Sequence, residues 1–197
     1  MLTFAAAVFF LIITPGPGVL STAGVGSAFG GRAGVRYVGG LFVGTNLVAL
    51  AVVTGLAGIL LADPRIRLVL FTLSACYLLY LAARIALAGA RIAFIQSASP
   101  PGFWGGIALQ AINPKAYAVN TTLMMGFPFW PQNWGGEIVL KFLLMNAIWV
   151  PIHFAWLYAG IALNELDLSQ STHRAINIAM SCAMLAVVGL AVAAQMV

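Results

Sequence analysis

The chain carries six apolar stretches, at about residues 2–27, 38–61, 68–88, 103–126, 139–163 and 175–197. A bilayer's hydrocarbon core takes about 20 helical residues to cross, and each stretch meets that length. The composition leaves no soluble alternative. Of 197 residues, 62% are hydrophobic and 7% charged, against about 25% charged in an ordinary soluble domain, so a globule of this size would lack the polar surface to stay in water. The sequence therefore predicts an all-α integral membrane protein with six transmembrane helices. A single transmembrane domain over residues 1–197 is expected, with no loop long enough for a soluble module. The first stretch has no basic residue ahead of it and runs on to Phe29, so it is expected to be retained and not cleaved as a signal.

Net charge is +5, but the basic residues stand singly or in pairs between apolar stretches. They read as topology signals, and a nucleic-acid partner is excluded. Arg32, Arg36, Arg84, Arg91 and Arg174 fall in or beside the odd connections, and Arg65, Arg67 and Lys141 in the even ones. That bias puts the odd connections in the cytoplasm and both termini outside. Trp130 and Trp134 place the connection 127–137 at a membrane surface, where indole rings settle among headgroups. Cys76 and Cys182 lie in separate apolar stretches with no CxxC and no nearby histidine. They are expected to be buried free thiols, with no disulfide, metal or cofactor.

Two of the stretches are interrupted. The first reads "FAAAVFFLIITPGP" from Phe4, and the fourth reads "FWGGIALQAINPKA" from Phe103. Phe4 matches Phe103, Ile13 matches Ile112, Thr14 matches Asn113 and Pro15 matches Pro114, at a constant offset of 99 residues. Asn46 and Asn146 echo each other at an offset of 100 in the second and fifth stretches. A duplicated three-helix unit has an odd helix count, so its second copy enters the membrane from the opposite side. Two inverted repeats are predicted, over about residues 1–90 and 101–197, with broken first and fourth helices.

Proline removes a helix donor and displaces the carbonyl four residues back, so Pro15, Pro17 and Pro114 are expected to free the carbonyls of Leu11, Ile13 and Gln110. Non-helical backbone survives at this depth only inside protein or beside a water-filled cavity. Two matched breaks therefore predict one polar cavity near the bilayer midplane, at the repeat interface. Pro151, a lone proline in the fifth stretch, is read as structural.

Lys115 follows Pro114 about 18 Å of helix into its span. A lysine there costs about 2.5–3.5 kcal/mol on insertion scales, so it is expected to face the cavity. The acids Asp63, Glu137, Glu165 and Asp167 all lie in connections or at span ends. Lys115 then either loses its proton, receives a substrate carboxylate, or bonds to the freed carbonyls for structural reasons.

A carboxylate also suits the half-helix that begins near Gly18, whose unpaired N–H groups point at the break. An ammonium suits the freed carbonyls and Asn46, Asn113 and Asn146. The predicted substrate site is thus Thr14, Pro15, Gly16, Pro17, Gly18, Asn46, Asn113, Pro114, Lys115 and Asn146, shaped for a small zwitterion. Lys115 and His153 are candidates for proton coupling, although His153 is equally a hydrogen-bonded filler. Arg84 pairs with loop or lipid groups, and Tyr77 and Tyr80 either line the cavity or pack.

"TPGPG" in the first stretch, "GGRAG" after it, "CYLLYLAAR" in the third and "NPKA" in the fourth resemble the LysE/RhtB family of amino-acid exporters. The resemblance covers nearly the whole chain. It implies six helices in two inverted repeats, a multi-pass position in a bacterial cytoplasmic membrane, and proton-driven efflux of small amino acids or related metabolites by alternating access. Homo-oligomers are compatible with it. Asn46 fills the place where such proteins carry Asn or Asp in the second helix. Where many relatives have a basic run and a phenylalanine before NPKA, this chain has "SASPPGFWGG".

Two other functions are weighed. A lipid-modifying enzyme would show HExxH, paired aspartates or GxSxG, and none is present, so no enzymatic activity is expected. A metal exporter of similar architecture would want clustered Cys or Met, or midplane carboxylates, and core packing explains Met124 and Met125 as well.

Overall fold

The computed structural model describes residues 1–86 and 99–165, and of the C-terminal stretch residues 171–172, 174–175, 178–179, 181–182 and 185–186. Every regular element among them is helical. In order these are α1 (Leu2–Ile13), α2 (Pro17–Val53), α3 (Leu56–Ala62), α4 (Pro64–Ala86), α5 (Phe103–Ile112), α6 (Pro114–Gly126) and α7 (Trp134–Glu165). Two helices, Pro17–Val53 and Trp134–Leu163, are long and apolar enough to cross a bilayer, and Leu2–Ile13 and Phe103–Ile112 are shorter apolar helices.

α2 is not one rod. Gly30 has φ 76°, in the left-handed region that favours glycine. Tyr37 Oη donates to Ser21 Oγ at 3.0 Å across 16 residues, which a straight helix would hold about 24 Å apart. The chain therefore folds back at Gly30 into two legs. The turn expected over Phe29–Arg36 is this single residue, with Gly31 onward already helical. Gly26 and Gly34, one on each leg, both leave room for the Leu157 side chain of α7.

The second expected stretch, 38–61, is divided at Thr54–Gly55, where Gly55 also takes a left-handed φ of 78° and α3 begins. Asp63 caps the next helix, accepting from Arg65 N at 2.7 Å. Arg91 and Asp167 lie outside the described residues, as do the side chains of Arg67, Arg84 and Glu165, so their expected roles fall outside the described structure.

α2 packs against both α5 and α7, and α1 against α7. Small residues permit the close approaches. A Cβ on Gly40 would strike the Phe103 carbonyl, and one on Gly160 the Ala23 carbonyl. This is how helices associate where lipid gives no hydrophobic drive between them. Pro151 lies inside α7 without dividing it.

Two expectations are corrected. Cys76 and Cys182 are free thiols, but both are exposed and not buried. An apolar stretch has two apolar surroundings to choose from, since lipid tails are as apolar as a core. Lys141, read as a surface topology mark, is 1% exposed. Its Nζ donates to the Met124 carbonyl at 2.7 Å and pairs with Glu137 Oε1 at 2.9 Å. The ammonium also sits over the rings of Phe4 and Phe129. Glu137 Oε2 in turn accepts from the backbone N–H groups of Phe129 and Trp130. The 127–133 connection is pinned inward by this pair, while Trp130 and Trp134 stay exposed.

Candidate functional site

Each break sits where a residue precedes proline. Thr14 has ψ 128°, Gly16 is extended and Asn113 has ψ 108°, because a proline ring disfavours the helical region in the residue before it. Pro17 and Pro114 then open α2 and α6 at the first helical turn, where a missing N–H costs nothing. Asn113 caps α6, its Oδ1 accepting from Lys115 N at 3.1 Å.

The chain leaves the helix instead of kinking within it, and the carbonyls that meet a side-chain donor are those of Thr14 and Pro15. Lys115 Nζ donates to Thr14 O at 2.7 Å and lies 3.4 Å from Pro15 O. The Gln110 carbonyl, expected to be free, accepts from Asn113 N at 3.4 Å, and the Ala111 carbonyl accepts from Tyr117 Oη at 2.8 Å. The rings of Pro15 and Pro114 are exposed, yet the two breaks touch through Lys115. A bond to backbone carbonyls, one of the three alternatives for Lys115, is present. Among the described residues the one ion pair is Glu137–Lys141, so Lys115 has no carboxylate partner.

A small cavity, about 60 Å³, opens at this junction. Thr14, Gly16, Gly18, Asn113, Lys115 and His153 line it, all of them expected in the site or its proton path. His153 is buried and stacked on Trp149, with ring centroids 3.5 Å apart. Its Nδ1 lies 3.0 Å from the Trp149 carbonyl, which only accepts, so Nδ1 carries a proton. Nε2 faces Gly18, whose Cβ, were one present, would lie 3.5 Å away.

The other expected residues are placed differently. Pro17 is buried beneath the junction, and Pro15 contributes its carbonyl. Asn46 and Asn146 bond to each other, Nδ2 to Oδ1 in both directions at 3.0 and 2.8 Å, and are not among the lining residues. Tyr77 ties α4 to α5 through the Gly105 carbonyl at 2.9 Å, and Tyr80 is exposed.

Thr45, Gln110 and Asn120 line the cavity without having been expected. Gln110 Oε1 accepts from Asn113 Nδ2 at 3.2 Å. A signal existed for two of them. Gln110, Asn113 and Asn120 are spaced 3 and 7 residues apart in an apolar stretch, one helical face of uncharged polar groups.

With this geometry in view, the chain matches the family described as "LysE type translocator" over residues 9–196. The chain belongs to the LysE translocator family. A Cysteine/O-acetylserine efflux protein of Salmonella typhi is 30% identical over 153 residues, covering 75% of each chain. One from Klebsiella pneumoniae subsp. pneumoniae is 29% identical over 166 residues, covering 79% of each. No solved structure matches. As a LysE translocator the chain is a membrane protein, and its cavity lies where two helices are broken and backbone carbonyls meet Lys115 Nζ.

Proposed function

We propose that this LysE translocator is a secondary transporter, not an enzyme, that exports small neutral amino acids such as cysteine or O-acetylserine across a bacterial cytoplasmic membrane. The observation that carries the reading is the Lys115 ammonium on the Thr14 carbonyl, a positive charge without a carboxylate inside the cavity. A cargo carboxylate supplies the missing charge, assisted by the N–H groups at the start of α2. Among the described residues the wall offers no carboxylate to hold the second positive charge of a dibasic cargo.

Six helices in two inverted repeats fit this role, with the cavity on a pseudo-two-fold axis and access alternating between faces. Contacts between residues about 100 apart support the arrangement. Lys115 reaches Thr14 across 101 positions, Asn46 pairs with Asn146 across 100, and Ser181 Oγ donates to the Ala82 carbonyl across 99. Protons supply the drive through Lys115 or His153, both on the cavity wall.

The reading is tested by efflux of cysteine and O-acetylserine from preloaded cells. Lys115→Met is expected to abolish efflux while membrane abundance stays unchanged, and full efflux by that variant removes Lys115 from the mechanism. Efflux that persists undiminished after the pH gradient is collapsed removes proton coupling.

A further inference from the structure

One polar atom in the cavity wall has no partner. Asn120 is 2% exposed and lines the cavity. Its Nδ2 donates to the Ala116 carbonyl at 2.8 Å, with Thr45 Oγ1 at 3.5 Å, while its Oδ1 is buried and bonded to nothing. Turning the amide over does not relieve this. A carbonyl only accepts, so Nδ2 must face Ala116 and Oδ1 must face away from it. A buried acceptor left empty destabilises the protein, and such groups are retained where something else fills them.

Asn120 and Lys115 share α6, five positions apart, which is about 7.5 Å of helix rise. Both line the same cavity, so an α-amino acid held there can set its carboxylate on Lys115 and a donor on Asn120. The donor's identity follows from chemistry. Cysteine carries a thiol and O-acetylserine an ester, so the hydrogen-bond donor the two have in common is the α-ammonium. The Thr45 hydroxyl lies on the same wall, its oxygen 3.5 Å from Asn120 Nδ2.

We infer that Asn120 Oδ1 accepts a hydrogen bond from the cargo's α-ammonium and is the residue through which the cavity demands a free amino group. The inference rests on the proposed transport site around Lys115. It sorts cargo by class: α-amino acids are carried, and their deaminated or N-acylated counterparts are refused.

The test uses the full chain in proteoliposomes, following counterflow of labelled cysteine under reducing conditions. The competitors are unlabelled cysteine and 3-mercaptopropionate, which keeps the thiol and carboxylate but lacks the ammonium. In the unaltered protein 3-mercaptopropionate is expected to compete about 100-fold more weakly, since a site built to bond a polar group rejects the analogue without it. Asn120→Leu should narrow that gap to within about threefold, and Asn120→Asp, which keeps the acceptor, should preserve it.

Equal competition by the two compounds on the unaltered protein overturns the role of Asn120 and leaves the transport reading standing. So does an undiminished gap in Asn120→Leu. No counterflow of any amino acid by the unaltered protein overturns both. If Asn120→Leu fails to accumulate, Asn120→Ala takes its place, and an undiminished gap in that variant overturns the role of Asn120.

Discussion

Asn46 and Asn146 form a reciprocal amide pair, each Nδ2 donating to the other's Oδ1, at 3.0 and 2.8 Å. The pair joins the second leg of α2 to α7. A bond of this kind braces two helices against each other. Asn46→Leu and Asn146→Leu should each lower the melting temperature in detergent, and the double variant should lose less than the sum. The coupling is expected near 0.6–1.7 kcal/mol, the range for such bonds in membranes. Strict additivity would show that the pair contributes nothing.

Lys141 and Glu137 are predicted to matter for folding and not for cargo. Removing one member of a buried pair costs about 3–5 kcal/mol, because the other charge is left without compensation. Lys141→Ala should therefore accumulate poorly and melt early. Pairing it with Glu137→Gln should recover part of the loss, because the glutamine keeps an acceptor for the Phe129 and Trp130 amides. Thermal unfolding of the single and double variants in detergent checks the order.

Gly16→Ala separates transport from stability. Its Cβ would meet Lys115 Cδ and Nζ at 2.8 Å, the far end of a flexible side chain that swings aside at little cost. The fold should survive, while the ammonium leaves the Thr14 carbonyl. Efflux is expected to fall about tenfold, the equivalent of one displaced bond to a charged group, at unchanged melting temperature. Normal efflux by this variant would show that the position of Lys115 is not critical.

Gly40 and Gly58 make a matched pair of controls. Alanine at 40 meets the Phe103 carbonyl, which the backbone cannot yield, and should cost about 1–3 kcal/mol through overpacking. Alanine at 58 meets nothing within 4 Å and should stabilise by about 0.5–1 kcal/mol through lost unfolded-state freedom. Membrane abundance and melting temperature measured side by side test both signs.

Proline made the junction legible. That Thr14, Asn113 and Lys115 lie together could be read from the sequence because a proline break and a lysine are both costly in hydrocarbon and need a shared polar setting. Asn120 and Gln110 were missed because an uncharged amide inside an apolar stretch carries little such cost. Lys141 was misread because charge near a span end normally snorkels outward, and only the three-dimensional placement of Glu137 and the Met124 carbonyl turns it inward. The exposure of Cys76 and Cys182 had no sequence signal, since lipid and core reward the same apolar residues. The Gly30 corner was legible as a turn, but not as a turn of one residue.

That corner has a mechanical consequence. A joint of one residue stores no slack, so the two legs of α2 are locked at a common depth, and neither slides along the bilayer normal without carrying the other. A piston stroke of the first leg is closed to this molecule. Relative motion of the two legs is confined to bending at Gly30, the one joint between them.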